Sequence, residues 1–285
     1  MIRLVTDSTA HFLDPDFPRK HNISVVPLTV HFGAKVFKEG VDLSSEEFFK
    51  RLDESDVMPT AHAPTLDSFS TVYADLAKPG DEIISIHISS KLSHTLHNAK
   101  IASEPFAGRS KVHLIDSLST SVGLGWLVEK AAFAAEAGSS AEDIVRLVRG
   151  LSHQLYVAFF VDTLDYLANA DRFSKAQAIL GAMLNFKPFL NIEDGDIVPT
   201  EKMQSRAQAI ERLIEFVAEF SDMEYMAILQ SSARANEETK LLLDQLALSF
   251  PERRFPVLAY RPSLGTFLGP SGMGVIVLDG HSDEN

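Results

Sequence analysis

Ile83-Ile84-Ser85-Ile86-His87-Ile88-Ser89-Ser90-Lys91-Leu92-Ser93-His94-Thr95 reads as an apolar strand that runs straight into a hydroxyl-rich turn. The same design occurs twice more. Arg3-Leu4-Val5-Thr6 leads into Asp7-Ser8-Thr9, and Val112-His113-Leu114-Ile115 leads into Asp116-Ser117-Leu118-Ser119-Thr120-Ser121. If the three strands are parallel, their carboxyl ends share one edge, where open α/β sheets bind ligands. The hydroxyls then line a common rim that donates hydrogen bonds without a fixed cation.

Working outward, strand-like and helix-like stretches alternate from residue 1 to about 150, which predicts crossover units and a mainly parallel sheet. Ser24 to Phe32 reads as one further strand. Ser44-Ser45-Glu46-Glu47 reads as a helix start with its acidic pair in the first turn. Asp67 to Leu76, Leu96 to Ala102 and Gly123 to Ala137 read as helices, and Ser139-Ser140-Ala141-Glu142 opens another over Ala141 to Leu151. The second half opens with the buried strand Tyr156 to Val161. A helix over Ser174 to Leu184 follows, then a hairpin in which Phe189–Ile192 and Ile197–Thr200 flank Glu193-Asp194-Gly195-Asp196. Helices over Ala207–Phe220 and Asn236–Leu248, with strands at Tyr225–Leu229, near Val257 and near Val275, complete it. The fold class is α/β in two domains: residues 1–150 carry the parallel sheet and the rim, residues 151–285 form an α+β domain, and a ligand cleft lies between them.

Length and composition agree. At 285 residues the chain can bury two cores, and 45% hydrophobic against 23% charged residues is an ordinary globular balance. The formal charge of −13, with no cluster of Lys and Arg, argues against nucleic acid as a partner. Cysteine is absent, which excludes disulfides, thiolate nucleophiles and Cys-ligated metals and is compatible with a reducing cytosol. Met1-Ile2-Arg3-Leu4 enters the first strand directly, leaving no room for a cleavable signal, and no apolar run reaches the ~20 residues of a membrane span. A soluble cytoplasmic protein is expected.

Two patterns point to a ligand. Ser89, Ser90, Ser93 and Thr95 exceed what capping one helix requires, and they feed a helix from Leu96 whose free N–H groups favour an anion. Ser93 is the leading candidate, and a carboxylate fits. Between Ala176 and Ile192, the side chains Ile179, Leu180, Met183, Leu184, Phe186, Phe189 and Leu190 exceed one helical stripe. They form either a plain core or the wall of an apolar tunnel. An anion rim and an apolar surplus together suit a ligand with a polar head and a hydrocarbon tail, whose buried CH₂ groups contribute about 0.8 kcal/mol each. Catalytic motifs are scarce: there is no Walker loop, no His-Glu-x-x-His helix and no metal-ligand spacing, and Gly269-Pro270-Ser271-Gly272-Met273 breaks the nucleophile-elbow pattern. His62, His94 and His97 lie in or beside the rim. His87, on an apolar strand, reads as a satisfied sheet histidine.

These residues resemble the DegV family of fatty-acid-binding proteins over nearly the whole chain. The matching motifs are Val5-Thr6-Asp7-Ser8-Thr9-Ala10, Ile88 to Thr95, Ile115-Asp116-Ser117 with Ser121 and Gly123, Asp165-Tyr166-Leu167 with Arg172, Lys187-Pro188-Phe189-Leu190, and Gly269-Pro270. The resemblance implies a carrier that holds one long-chain fatty acid between its domains and presents the carboxylate to a separate fatty acid kinase. It implies no catalytic residue, no cofactor and no metal in the carrier itself. The family's carboxylate-binding serine falls on Ser93. The family's Thr-Ser-Gln-Pro-Ser segment appears as Ala61-His62-Ala63-Pro64-Thr65, so Thr60 and His62 are the candidates for the missing threonine. Its glycine before the helix is His94, its Gly-Gly-Arg becomes Ala170-Asp171-Arg172, and its C-terminal histidine is Phe267. Where the family carries an arginine on the partner-facing hairpin, this chain has Lys202-Met203-Gln204, with Arg206 further on.

The expected ligand set is therefore Ser93, Thr60, His62, His94, Thr95 and Arg172, with Ile179, Leu180, Met183, Leu184 and Phe189 along the tail. The competing reading is a hydrolase or phosphoryl-transfer enzyme in which His62 or His94 serves Ser93 as general base.

Overall fold

The three apolar segments form β1 (Ile2–Asp7), β6 (Glu82–His87) and β7 (Lys111–Asp116). They lie side by side and parallel, with Arg3 opposite Ile83 and Ile84 opposite His113. The computed structural model describes residues 1–170 and 186–280. Of the expectations above, Arg172, Ile179, Leu180, Met183, Leu184 and the helix over Ser174 to Leu184 lie outside the described residues.

The chain forms two compact units. The first comprises Met1–Leu43, Ala61–His153 and Asp194–Asp196; the second comprises Ser44–Thr60, Gln154–Glu193 and Ile197–Asn285. The first is built on a four-stranded parallel sheet of order β2-β1-β6-β7, where β2 is Ser24–Val26. The single strand expected over Ser24 to Phe32 is two strands. Pro27 has no N–H to continue the ladder. After it the chain leaves the parallel sheet as β3 (Thr29–Phe32), which pairs antiparallel with β4 (Lys35–Lys38) in a small sheet completed by β5 (Thr60–His62). Helices α3 (Leu66–Leu76), α4 (Thr95–Ser103), α5 (Ser121–Glu136) and α6 (Ala141–Ser152) cover the parallel sheet, with the short α1 (Phe17–Lys20) after β1. Val5, Val26, Ile83, Phe69, Tyr73, Ala99 and Ala102 close one core cluster. Helix α5 is buried on every side of its first two turns, from Ser121 to Val128, which is why its apolar residues show no stripe.

In the second unit six strands take the order β10-β9-β8-β13-β11-β12, namely β10 (Asp196–Met203), β9 (Lys187–Glu193), β8 (Leu155–Phe160), β13 (Met273–Asp279), β11 (Met223–Gln230) and β12 (Val257–Ala259). The sheet is mixed: β8 is antiparallel to β9 and β13, β13 antiparallel to β11, and β11 parallel to β12. Its helices are α2 (Ser45–Glu54), α7 (Asp165–Asn169), α8 (Arg206–Ala218), α9 (Glu237–Ser249) and α10 (Pro262–Leu268). The hairpin β9–β10 turns at Asp194 (φ 47°) and Gly195 (φ 80°), the paired positive φ values of the turn that Asp-Gly encodes. Capping follows the sequence: Ser44, Thr65, Ser140, Ser205 and Asn236 each accept a first-turn N–H of α2, α3, α6, α8 and α9.

Candidate functional site

The order β2-β1-β6-β7 contains a switch point. From β1 the chain crosses to β2 on one side; from β6 it crosses through α4 to β7 on the other. The crevice above β1 and β6 is where such sheets bind ligands. Hydrogen bonds tie the three turns together there. Ile88 N donates to Asp7 Oδ2 at 2.9 Å, Ser89 N to Ser119 O at 2.9 Å, and His11 N to Ser121 O at 3.0 Å. The rim expected from three strand ends is thus a physical assembly within the first unit.

Four of its hydroxyls are consumed in building it. Ser8 Oγ donates to the buried Glu39 carboxylate at 2.6 Å and accepts from Leu28 N at 2.9 Å. Ser89 Oγ donates to Gly195 O at 2.7 Å, Ser117 Oγ to Ser119 O at 3.0 Å, and Thr9 Oγ1 to Asp7 Oδ1 at 2.5 Å. Ser93 and Thr95 differ. Their hydroxyl oxygens lie 2.8 Å apart, and Thr95 N donates to Ser93 Oγ at 3.3 Å. Two hydroxyls carry two protons, and one bond between them uses one. With Thr95 donating, the Ser93 O–H is left for a ligand, and Ser93 is 7% exposed where Thr95 is fully buried. Helix α4 follows its N-cap residue His94, which supplies no side-chain cap, so the first-turn amides after Thr95 add donors and a positive dipole end.

Beneath the rim runs a buried polar chain that the residue pattern did not announce. Asp7 Oδ2 lies 3.0 Å from His87 Nδ1, His87 Nε2 2.7 Å from Ser85 Oγ, and Ser85 Oγ 2.8 Å from Tyr73 OH; all four residues have no solvent exposure. Burial pushes the Tyr73 hydroxyl up to about 12, with the Ser85 hydrogen bond acting the other way, so Tyr73 keeps its proton. Tyr73 then donates to Ser85, Ser85 to His87 Nε2, and His87 Nδ1–H to the Asp7 carboxylate, which leaves every group satisfied. Asp7 also accepts from Thr9 N at 3.0 Å. It therefore fixes the turn after β1 and the turn after β6 with one side chain. His87 is the satisfied sheet histidine its position suggested.

Neither of the histidines proposed as bases is hydrogen-bonded to the Ser93 hydroxyl. His62 lies against His31 with ring centroids 4.1 Å apart and ring planes tilted by 34°, and His94 meets His97 edge-on at 6.5 Å. Among the described residues, the partners of the Ser93 hydroxyl are the hydroxyl and amide of Thr95. Burial first, and the neighbouring His62 second, hold the His31 imidazole below its ordinary value. The folded state therefore disfavours proton uptake at His31, and its contribution to stability is present above the ordinary histidine range and lost as pH falls below it. His62→Ala is expected to return the His31 titration part of the way upward, read by NMR of the ring Cε1–H. An unchanged midpoint would show that the two rings are not coupled.

Thr60 belongs to the second unit, at the start of β5 and half-buried. Phe189 is buried in the second unit's core beside Phe160 and Ala158, with the Arg212 guanidinium 5.7 Å from its ring centre. The second unit also holds a polar pocket of about 440 Å³ lined by Asp162, Arg206, Ser231, Arg234, Asn236 and Ser271 among others. Arg206 is committed there: it contacts both Glu238 oxygens, Asp162 Oδ2 at 3.1 Å and Ser271 O at 2.8 Å. Among the described residues no group of three or more His, Asp or Glu is placed to hold a metal ion, and no helix is long and apolar enough to cross a membrane.

Comparison with known proteins now bears on this arrangement. The family model described as "Uncharacterised protein, DegV family" matches residues 1–279. The chain belongs to the DegV family. Protein DegV of Bacillus subtilis is 30% identical over 276 residues, covering 96% of this chain and 98% of the relative. A DegV domain-containing protein of Caldanaerobacter subterraneus is 34% identical over 279 residues, covering 96% and 97%. The crystal structure of B. subtilis DegV, described as a fatty acid binding protein, superposes with a TM-score of 0.85 at 29% identity, covering 98% of this chain and 99% of that one. A DegV family protein from Thermus thermophilus, described for its fatty acid binding, gives 0.84 at 29% identity with the same coverage. The fold is thus the two-domain α/β fold of DegV proteins. Within this DegV chain, Ala61 on β5 and the buried Phe267 on α10 offer no side-chain donor at positions where the resemblance led to a threonine and a histidine.

Proposed function

We propose that this DegV protein binds a long-chain fatty acid without chemically changing it, holding the carboxylate at the switch-point rim through Ser93. The observation that carries the reading is the Ser93–Thr95 pair: one hydroxyl proton remains free, backed by the start of α4, where the N-cap residue His94 makes no side-chain cap, beside rim hydroxyls of Ser8, Thr9, Ser89 and Ser117 that are committed to the fold. Such a site favours a carboxylate over a cation. A serine whose hydroxyl meets another hydroxyl rather than a base suits binding better than nucleophilic attack. The fatty acid binding described for the B. subtilis and T. thermophilus relatives supports the same ligand class. Thr60, His62, His94 and Arg172 remain the proposed further contacts, with Ile179, Leu180, Met183, Leu184 and Phe189 along the tail. The two-part division into a rim-bearing residues 1–150 and a tail-holding residues 151–285 belongs to this reading. So does a cytoplasmic carrier that hands its carboxylate to a fatty acid kinase, a step supported by the family resemblance.

Ser93→Ala is expected to weaken palmitate binding about tenfold, the worth of one hydrogen bond to a charged group, in calorimetric titration of delipidated protein. Unchanged affinity in a folded variant would remove Ser93 from the head-group site. For the hand-over step, loaded protein, kinase and ATP should yield acyl phosphate; no product with a kinase active on another loaded carrier would remove that step.

A further inference from the structure

The third turn carries donors that neither the fold nor the Ser93 contact uses. Ser119 Oγ and Ser121 Oγ are buried and have no hydrogen-bond partner among the described residues, each residue being 1% exposed. Buried hydroxyls without partners are uncommon and costly, and their presence in pairs at a crevice calls for a reason. They flank the start of α5, a 16-residue helix whose N-cap residue Thr120 makes no side-chain cap and whose first turn has no acidic residue. The first amides of α5 therefore keep their donor capacity and the positive end of the helix dipole is uncompensated. Ser121 O and Ser119 O are fixed by His11 N and Ser89 N, so this helix start is docked against both other turns at the switch point. The turn's own carboxylate, Asp116, is occupied by the amides of Ser90 and Leu118.

We infer that Ser119, Ser121 and the first-turn amides of α5 form a second oxyanion-binding element of the rim. It accepts a carboxylate or phosphate group through two hydroxyls and the N–H groups of Val122 and Gly123. This goes beyond the contact at Ser93, because the donors are a different set on a different helix. No full positive charge is involved, so the element relies on preorganised dipoles in a desolvated place, where they act more strongly than in water. The two ligand sources are a lipid head group and free inorganic phosphate.

The test is an ¹⁵N-resolved NMR titration of the delipidated full chain, once with inorganic phosphate and once with palmitate, with palmitate loading followed independently by native mass spectrometry. Saturable shifts of the Val122 and Gly123 amides are expected with at least one of them. A shift with phosphate alone assigns the element to the free anion, and a shift with palmitate assigns it to the lipid carboxylate. The Ser119→Ala, Ser121→Ala double variant should bind that anion at least about fivefold more weakly. Without ligand it should unfold at the same or higher urea concentration than the parent, since it loses unpaired buried hydroxyls; a purely structural role would lower that midpoint. Palmitate loading with both amides silent to both anions would overturn the inference while the fatty acid reading stood. Phosphate shifts without any palmitate loading would do the reverse.

Discussion

Asp7→Ala is expected to cost about 4 kcal/mol of stability and to abolish fatty acid binding, because it orphans several buried donors at once. The carboxylate accepts from Thr9 N, Thr9 Oγ1, Ile88 N and His87 Nδ1. Removing it strands those donors without solvent, and it unties the turn carrying Ser8 and Thr9 from the turn carrying Ser89 to Ser93. Amide hydrogen exchange at Ile88 should accelerate sharply, and the urea midpoint should fall. Asp7→Asn keeps one acceptor oxygen; with that oxygen on the Thr9 N–H and hydroxyl, its NH₂ takes the place of Oδ2 and meets both Ile88 N–H and His87 Nδ1. It is expected to lose less stability and to move the imidazole proton to Nε2, visible in ¹⁵N spectra of the ring. If Asp7→Ala retained parental stability and protected Ile88 exchange, the buried chain would not be what fixes the rim.

Gly125→Ala opposes two effects whose magnitudes decide the outcome. Helix propensity favours alanine by about 1 kcal/mol inside a helix. A Cβ at Gly125, however, would strike the backbone carbonyl of His11, which no side-chain rotation can relieve. Overpacking against backbone costs about 1–3 kcal/mol or more, so net destabilisation is expected, with His11 displaced and the His11 N to Ser121 O bond lost. Gly150 on α6 is the internal control. A Cβ there meets nothing within 4 Å, and Gly150→Ala should stabilise by about 1 kcal/mol. Denaturant midpoints of the two variants should move in opposite directions; movement in the same direction would show that the close approach of α5 to the first turn is not a constraint.

These two sites show what sequence pattern can and cannot carry. Local signals were readable because they are short-range. Apolar runs ending in turns gave β1, β6 and β7, Ser140 and Asn236 gave helix starts, and Asp194-Gly195 gave the hairpin turn. The break at Pro27 was missed because the apolar alternation on either side continues through it, although the missing N–H was a usable signal. The assignment of Ser44–Thr60 to the second unit depends on packing partners far along the chain, as where Phe48 lies against Gly265. Asp7 and His87 are 80 residues apart, so their bond had no local signature. The same holds for the division of labour among the hydroxyls. Sequence showed a rim rich in Ser and Thr, whereas only geometry separates Ser8, Ser89 and Ser117, spent on the fold, from Ser93, Ser119 and Ser121.

The central claim, that this DegV protein carries a fatty acid, is tested most directly by native mass spectrometry of the purified protein before and after incubation with palmitate or oleate. The account predicts one acyl chain per polypeptide, lost on denaturing extraction and recovered on reloading. A folded protein that shows only its polypeptide mass in every condition would contradict it.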